Sequence, residues 1–349
     1  MSQIFVLYEI QQGPWGGGNQ FLRALTKQLA RSGNLAKSAD EANVLLVNSH
    51  HWGFRDLLML FVWKSKRPYG IVLLRVDGPI SIVRGNSISR LVDLRIQLFS
   101  RLVADGVVFQ SNWSASKSFS LGIRPKKWTV ITNAPDPEVF FAASVANWQE
   151  RPLRAVVSSW SSNAKKGTAL LEELLRELNP RDLEVISIGN LSQEKRGLTQ
   201  LGPQPTEQVA AILRSAHVFL ALSSDDPCSN SLIEGIHCGL VPFALDSGGH
   251  PEIVKKRDFL FADAQELLTL LEQPLGEMRR KWGLADVPGL AVVATEYLEF
   301  CRSLEDSHLN SPRIPVTIFL LILVDAIVVT VFRAWSKLAG LNRIITRHP

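Results

Sequence analysis

The residues most suited to chemistry lie together in one segment of the second half of the chain. Two carboxylates, Asp226 and Glu234, stand eight positions apart; a turn-prone stretch follows the first, and a short helix is predicted to carry the second. Small polar residues and glycines accompany them at Ser229, Asn230, Ser231, Gly248 and Gly249. Hydroxyls and bare backbone amides beside two carboxylates suit a ligand that carries both hydroxyl and phosphate groups.

Two lysines precede a predicted helix in the same half. Lys165 and Lys166 stand between a strand that ends near Ser159 and the helix that begins at Gly167. Lysines on loops are more often simply solvated. At this position, however, a cation could neutralise a diphosphate as it leaves, so both lysines are candidate phosphate ligands.

A glycine-rich loop opens the first helix. Gly17 and Gly18 follow the first strand, and their amides could approach an anion, although a plain flexible turn is the alternative. The loop is not a dinucleotide fingerprint, because Phe21 stands where the third glycine would be, and it has no Lys-Ser/Thr of a Walker loop.

Two further candidates follow strands of the first half. Asp77 comes directly after a buried strand predicted at 71–76, a position from which it could orient an acceptor hydroxyl. His51 follows the strand predicted at 44–47 and is a rival for the same role. The sequence alone leaves the choice between them open.

Strands alternate with helices in both halves, which predicts parallel sheets with helical crossovers. The expected organisation is an α/β chain of two doubly wound, Rossmann-like domains that face a cleft. The predicted parts are a first domain at 1–141, a linker at 142–153, a second domain at 154–288, a crossing helix and linker at 289–311, and a membrane-associated helix with a basic tail at 312–349.

The spacing of Asp226 and Glu234 resembles the E-x7-E signature of family 4 retaining glycosyltransferases of the GT-B fold, with Asp in place of the first Glu. The resemblance implies that Glu234 binds the ribose hydroxyls of a nucleotide-diphosphate sugar and that Asp226 lies beside the sugar. It also implies a reaction without metal or further cofactor. The family's Arg before Lys-Gly is absent, since Ser161 or Ser162 stands in its place.

Two other functions remain compatible with these residues. A nucleotide-sugar epimerase shares the fold. A non-catalytic nucleotide-sugar-binding subunit would explain both the Asp at position 226 and the missing Arg.

Charge and cysteine content narrow the partners. Residues 51–127 contain thirteen Lys and Arg against four Asp and Glu, in a chain of net charge +5. No nucleic-acid-binding module accompanies these bases, so an anionic membrane surface or anionic lipid substrate is favoured over nucleic acid. The three cysteines have no metal-ligand or disulfide spacing.

Residues 314–332 form a nearly continuous apolar segment. As a helix they would extend about 28 Å, close to the thickness of a bilayer core. Asp325 near its middle would oppose insertion. The sequence therefore predicts a membrane helix that either spans the bilayer or lies in its inner leaflet, with a helix buried against the protein as the alternative. The expected location is the cytoplasmic face of a membrane, and the expected acceptor is a lipid-linked or other glycan.

Overall fold

The computed structural model describes residues 2–13, 16–142, 147–149, 151–159, 163–190, 197–283, 287–308 and 316–338. Two parallel sheets define two domains: a first domain around a five-stranded sheet and a second domain around a six-stranded sheet. The predicted α/β architecture of two parallel-sheet domains is confirmed.

The elements of the first domain are β1 (Ile4–Leu7), α1 (Gly17–Arg31), β2 (Val44–Asn48), α2 (Phe54–Lys66), β3 (Ile71–Val76), α3 (Ile80–Arg84), α4 (Arg90–Leu102), β4 (Gly106–Phe109), α5 (Asn112–Ser120) and β5 (Trp128–Val130). Those of the second domain are β6 (Leu153–Ser159), α6 (Thr168–Glu177), β7 (Leu183–Gly189), β8 (Leu198–Gln200), α7 (Thr206–Arg214), β9 (Val218–Ala221), α8 (Asn230–His237), β10 (Val241–Leu245), α9 (His250–Val254), β11 (Leu260–Phe261), α10 (Ala264–Glu272) and α11 (Leu275–Trp282). Two helices follow, α12 (Leu290–His308) and α13 (Val316–Leu338).

The second sheet has the strand order β11-β10-β9-β6-β7-β8. The first strand of this domain, β6, is thus central, and the chain runs outward from it in both directions. This is the order of a dinucleotide-binding fold, whose ligands lie at the carboxyl ends of the strands where the order reverses. In this domain the reversal falls between β6 and β9, which pair in parallel.

The first sheet runs sequentially, β1-β2-β3-β4-β5, without such a reversal among its described strands. Helices nevertheless cover both of its faces. Apolar residues of α1 and α12 form a core on one face, and those of α2, α4, α5 and α13 form a core on the other. The chain therefore returns from the second domain to complete both faces of the first.

Helix α13 packs on the first domain through Ile318, Leu321 and Ile322, which are buried. Its Asp325 is buried too and forms an ion pair with Arg95 of α4, with 2.5 Å between carboxylate oxygen and guanidinium nitrogen. Within the described ranges, none of the helices combines the length and apolarity that a bilayer crossing requires. The prediction of a transmembrane helix is therefore not supported. One face of α13 packs into the core of the first domain, and Asp325 is paired with Arg95.

Candidate active site

The carboxyl ends of β6 and β9 enclose a small cavity at the point where the strand order reverses. Lys166 and Gly167 follow β6, Ser223 follows β9, and Ser229 and Ser231 at the start of α8 complete the lining. Gly167 is required here, because it has a φ of +82° and a side chain would overlap the carbonyl oxygen of Leu222. The fold thus gathers a cation, hydroxyls and free backbone at a ligand-binding position.

Lys166, which lines this cavity, forms an ion pair with Asp226, with 3.0 Å between Nζ and Oδ2. Asp226 also accepts a hydrogen bond from the amide of Cys228 and lies close to the hydroxyl of Ser223. Burial opposes ionisation of Asp226, but Lys166 and His250 outweigh it, so that the pKa of Asp226 is lowered. Asp226 is therefore an ionised carboxylate fixed beside a cation.

Lys165 occupies a different environment from Lys166. Its ammonium lies 2.5 Å from a carboxylate oxygen of Asp225. It also donates, at 2.8 Å, to the carbonyl of Ile82 in α3 of the first domain. Asn163 donates to the neighbouring carbonyl of Val83. Lys165 thus joins the two domains, whereas its predicted contact with a phosphate stays a prediction. Ser161 and Ser162 lie outside the described residues.

Glu234 is half-buried on α8, about one turn beyond Asn230 and Ser231. Burial raises the pKa of Glu234 to about 8. Among the described residues its carboxylate has no hydrogen-bond partner. A carboxylate enclosed without a partner is unfavourable in the free protein, and it is well suited to accept hydrogen bonds from ligand hydroxyls.

The three polar residues before Glu234 have structural roles as well. Ser229 caps α8 by accepting a hydrogen bond from the amide of Leu232, which fixes the start of the helix. The hydroxyl of Ser231 lies 3.4 Å from that of Ser229. The side-chain oxygen of Asn230 accepts a hydrogen bond from Asn133 of the first domain at 3.0 Å. Asn230 is thus an interdomain contact in this structure.

Three of the four predicted glycines have neighbours that leave no room for a side chain. A side chain at Gly248 or Gly249 would overlap the carbonyl oxygens of Asp226 and Pro227, respectively. Across the cleft, a Cβ at Gly17 would lie 2.5 Å from the amide nitrogen of Asn230, and one at Gly18 would lie 3.6 Å from Asp77. Gly248 and Gly249 allow the Asp226 turn to pack closely, and Gly17 allows the same at the domain interface, whereas Gly18 has room for a methyl group.

On the first-domain side, Asp77 and His51 are neighbours. His51 Nε2 lies 3.6 Å from Asp77 Oδ2, and Arg75 donates to the other oxygen of Asp77. Burial opposes ionisation of Asp77, but Arg75 and the two neighbouring histidines outweigh it and hold its pKa well below the usual range. The two sequence candidates are therefore parts of one cluster, in which the ionised form of Asp77 is favoured and His51 lies beside it.

Polar residues outside the predicted set also belong to the site. Arg75, fully buried, donates to Asn48 and Asn133 as well as Asp77. Glu252 of α9 accepts from the amides of Asn112 and Trp113 at 2.7 and 2.8 Å and so caps α5 of the other domain.

A metal centre has no evident ligand set in the parts of the chain that the structure describes, where no group of three or more His, Cys, Asp or Glu residues is suitably placed. Among the described residues, the cationic groups at the cleft include Lys165 and Lys166 on the second domain and Arg75 on the first.

Two facing parallel-sheet domains with a cleft between them are the arrangement of the GT-B fold. Residues 151–275 match the sequence profile of the family described as glycosyl transferases group 1. The matched range contains Lys166, Asp226 and Glu234. This part of the second domain is therefore similar to the group 1 glycosyl transferases.

The structural similarity extends over both domains. Sucrose-phosphate synthase from Thermosynechococcus elongatus superimposes with a TM-score of 0.64 at 14% identity, over 87% of this chain and 100% of the other. HepE from Anabaena, solved in complex with UDP and glucose, gives the same TM-score, identity and coverage. At this identity the likeness concerns the fold.

A curated sequence relative is one of the subunits of phosphatidylinositol N-acetylglucosaminyltransferase from Arabidopsis thaliana. It is 24% identical over 170 residues, which are 44% of this chain and 38% of that protein. The match thus spans well under half of the length of that relative.

Proposed function

We propose that this enzyme transfers a sugar, with retention of anomeric configuration, from a nucleotide-diphosphate donor to a lipid-linked or other glycan acceptor. The donor would lie on the second domain, at the carboxyl ends of β6 and β9. The acceptor would enter from the side of His51 and Asp77.

The observation that carries this proposal is the state of Glu234. Its carboxylate is half-buried, has a pKa raised to about 8 and has no hydrogen-bond partner among the described residues. Two vicinal ribose hydroxyls would provide the missing donors. Glu234 stands on the helix whose first turn lines the cavity beside Lys166, so one nucleotide could reach both groups.

In the proposed reaction the bond between the anomeric carbon and the diphosphate oxygen breaks, and a bond to the acceptor oxygen forms on the same face of the sugar. The acceptor proton passes to the departing phosphate, and Lys166 with the amides after β6 stabilises the charge that develops there. Asp77, ionised and held by Arg75, accepts a hydrogen bond from the acceptor hydroxyl and orients it.

Known relatives support the donor class and the type of acceptor. HepE was solved with UDP-glucose as well as with UDP and glucose, and the Arabidopsis relative is named for N-acetylglucosamine transfer to phosphatidylinositol. The nucleotide sugar bound by HepE supports a donor of that class here, and the name of the Arabidopsis relative makes a glycolipid acceptor reasonable.

The test begins with thermal unfolding in the presence of UDP, GDP, ADP and dTDP, because a ligand that binds only the folded state raises the melting temperature. We expect one nucleotide to stabilise the wild-type protein and Glu234→Ala to lose that response. Glu207→Ala, which removes an exposed acid on α7 of the same domain, is the matched control and should respond as wild type does.

With the donor identified, NMR of the anomeric proton of the product would establish the stereochemistry. An inverted product would refute the retaining mechanism. Release of free epimerised sugar, with no transfer to any acceptor, would favour an epimerase. A stabilising nucleotide whose effect survives Glu234→Ala would remove Glu234 from the site.

A further inference from the structure

One face of the first domain exposes an unusual number of large apolar side chains. Of the fourteen large apolar side chains exposed in the described residues, nine lie on α2, α4 and α13. They are Phe54, Leu58, Val62, Leu94, Val316, Phe319, Leu323, Val324 and Ile327. We call this set the apolar face. A concentration of this kind on one surface marks an interaction site.

The apolar face is organised by helical periodicity. On α2, Phe54, Leu58 and Val62 follow one another at intervals of four and form a row along the outside of the helix. On α13, Phe319, Leu323 and Ile327 form a second row at the same interval. The helices lie side by side, with the rings of Phe61 and Phe319 6.4 Å apart. Two outward rows therefore make one continuous surface.

Burial of α13 against the protein does not account for these outward residues. Its inward face is a separate row that includes Ile318, Leu321 and Ile322 in the core and Asp325 paired with Arg95. Ile327 and Phe54 are each 63% exposed. The helix is thus apolar on both sides, and only one side is covered by the described protein.

Cations extend the same rows. Lys66 continues the α2 row one turn beyond Val62, and Arg90 and Arg101 stand on the row of Leu94 in α4. Arg55 follows Phe54, and the side chains of all four bases are exposed. The surface therefore combines apolar residues with positive charge.

The acidic side chains of α2, α4 and α13 that the structure describes all bind groups within the protein. Asp56 accepts a hydrogen bond from the amide of Gly53, Asp93 accepts from the amides of Ile80 and Ser81, and Asp325 pairs with Arg95. Among the side chains of α2, α4 and α13 that the structure describes, no exposed acid opposes the cations. An apolar protein partner would not require this one-signed charge, whereas an anionic lipid surface would.

We propose that the apolar face docks on an anionic lipid bilayer, with α2 and α13 lying in the plane of the interface. The outward rows enter the boundary between headgroups and acyl chains, and the surrounding bases contact lipid phosphates. Helices that are apolar on their outer side and flanked by Lys and Arg bind membranes in this way without crossing them.

Arg95 connects this surface to the acceptor side of the cleft. Besides pairing with Asp325 of α13, its guanidinium donates to the carbonyl of Trp52 at 3.1 Å and lies over the Trp52 ring. It also reaches the carbonyl of His50 at 3.4 Å. The segment that bears His51 is therefore attached to the helix that docks, so a lipid-borne acceptor would meet the cleft from the membrane side.

The test uses the full chain and sedimentation with vesicles of phosphatidylcholine, with and without phosphatidylglycerol. Wild-type protein should bind the mixed vesicles and be released by salt. Leu323→Gln together with Ile327→Gln should weaken binding at least about tenfold, because two apolar side chains no longer enter the interface. Replacing Arg55 and Arg101 with Gln should weaken it about fivefold for each cation removed.

The control is Val292→Gln together with Leu201→Gln, which removes two exposed apolar residues from other surfaces and should bind as wild type does. Nucleotide-induced thermal stabilisation should be unchanged in all these variants, so a failure of docking is distinguishable from a failure of the donor site. Vesicle binding that is absent in wild type, or unaffected by Leu323→Gln with Ile327→Gln, would overturn the proposal. A dimer that dissociates in that variant would instead assign the face to a second copy.

Discussion

The side-chain amide of Asn133 donates a hydrogen bond to the side-chain oxygen of Asn230 at 3.0 Å, and this bond joins the two domains at the cleft. Asn133 is completely buried and also accepts from Arg75, which in turn donates to Asp77. The carboxylate on the acceptor side is thus connected to the first residue of α8, the helix that carries Glu234. The two halves of the proposed site are parts of one polar network.

Substituting the two asparagines should have different effects. Asn133→Ala leaves one donor of the buried Arg75 without an acceptor and should lower the free energy of unfolding by about 2–3 kcal/mol. Asn230→Ala removes only the interdomain bond and should cost about 1 kcal/mol or less, while raising KM for the donor. Urea unfolding and steady-state kinetics would measure both. Equal losses of stability would contradict this division of roles.

The raised pKa of Glu234 predicts how stability depends on pH. In the unfolded chain this carboxyl has its ordinary pKa of 4.5, whereas burial raises its pKa in the folded protein to about 8. Between these values the folded state holds the extra proton, so stability falls as pH rises through this window. Glu234→Gln removes this dependence and should stabilise the free protein at pH 8, on the order of 2 kcal/mol after allowing for partial exposure.

Urea unfolding of wild type and Glu234→Gln at pH 5 and pH 8 would check this effect, with Glu207→Gln as the exposed control. The prediction would be contradicted if the gain in free energy of unfolding of Glu234→Gln over wild type were no larger at pH 8 than at pH 5. Nucleotide binding should be weaker in Glu234→Gln, because an amide accepts fewer hydrogen bonds than a carboxylate.

His51 and Asp77 should respond differently to mutation although they are neighbours. His51 is half-exposed, so His51→Ala should leave the melting temperature nearly unchanged and lower kcat about 100-fold if it assists the acceptor. Asp77→Asn should also destabilise the protein by about 3 kcal/mol, because the fully buried Arg75 loses its ionic partner. An Asp77→Asn protein as stable as wild type would contradict the importance of this pair.

The glycines after β10 provide a steric prediction. A methyl group at Gly249 would overlap the carbonyl of Pro227, next to Asp226, whereas one at Gly289 would meet nothing within 4 Å. Gly249→Ala should therefore displace the Asp226 turn, lower the melting temperature and reduce activity strongly. Gly289→Ala should be neutral or slightly stabilising. Thermal unfolding and transfer assays on the pair would decide whether the close approach matters.

The regular part of this fold was predictable from the sequence. The strand at 71–76 was predicted to the residue, since a buried apolar run bounded by Gly and Asp defines a parallel strand well. Helix α2 was not predicted, because its run from Leu57 to Trp63 is apolar on several sides and lacks a clear period. The sequential order of the first sheet could not be predicted either, since local patterns contain no information on which strands become neighbours.

The interdomain contacts could not be predicted from the sequence either, because local patterns do not show which distant segments come together. Glu252 caps a helix 140 positions earlier in the chain, and Lys165 binds a carbonyl 83 positions away. The sequence did contain a pattern that predicts packing of α13 on the protein, but the high overall hydrophobicity of the segment favoured a membrane helix. The pattern is the helical spacing of the residues on the covered side, Ile318, Leu321, Ile322 and Asp325. A charged residue on that row indicated a partner in the protein.

The return of α12 and α13 to the first domain has a consequence for biosynthesis. Tyr297, Cys301 and Leu304 of α12 complete the core beneath α1, and Ile318 and Leu321 of α13 complete the one beneath α2 and α4. Domains usually fold in the order in which they leave the ribosome. Here the core of the first domain stays partly uncovered during synthesis until α12 and α13, which follow the second domain in the chain, have emerged.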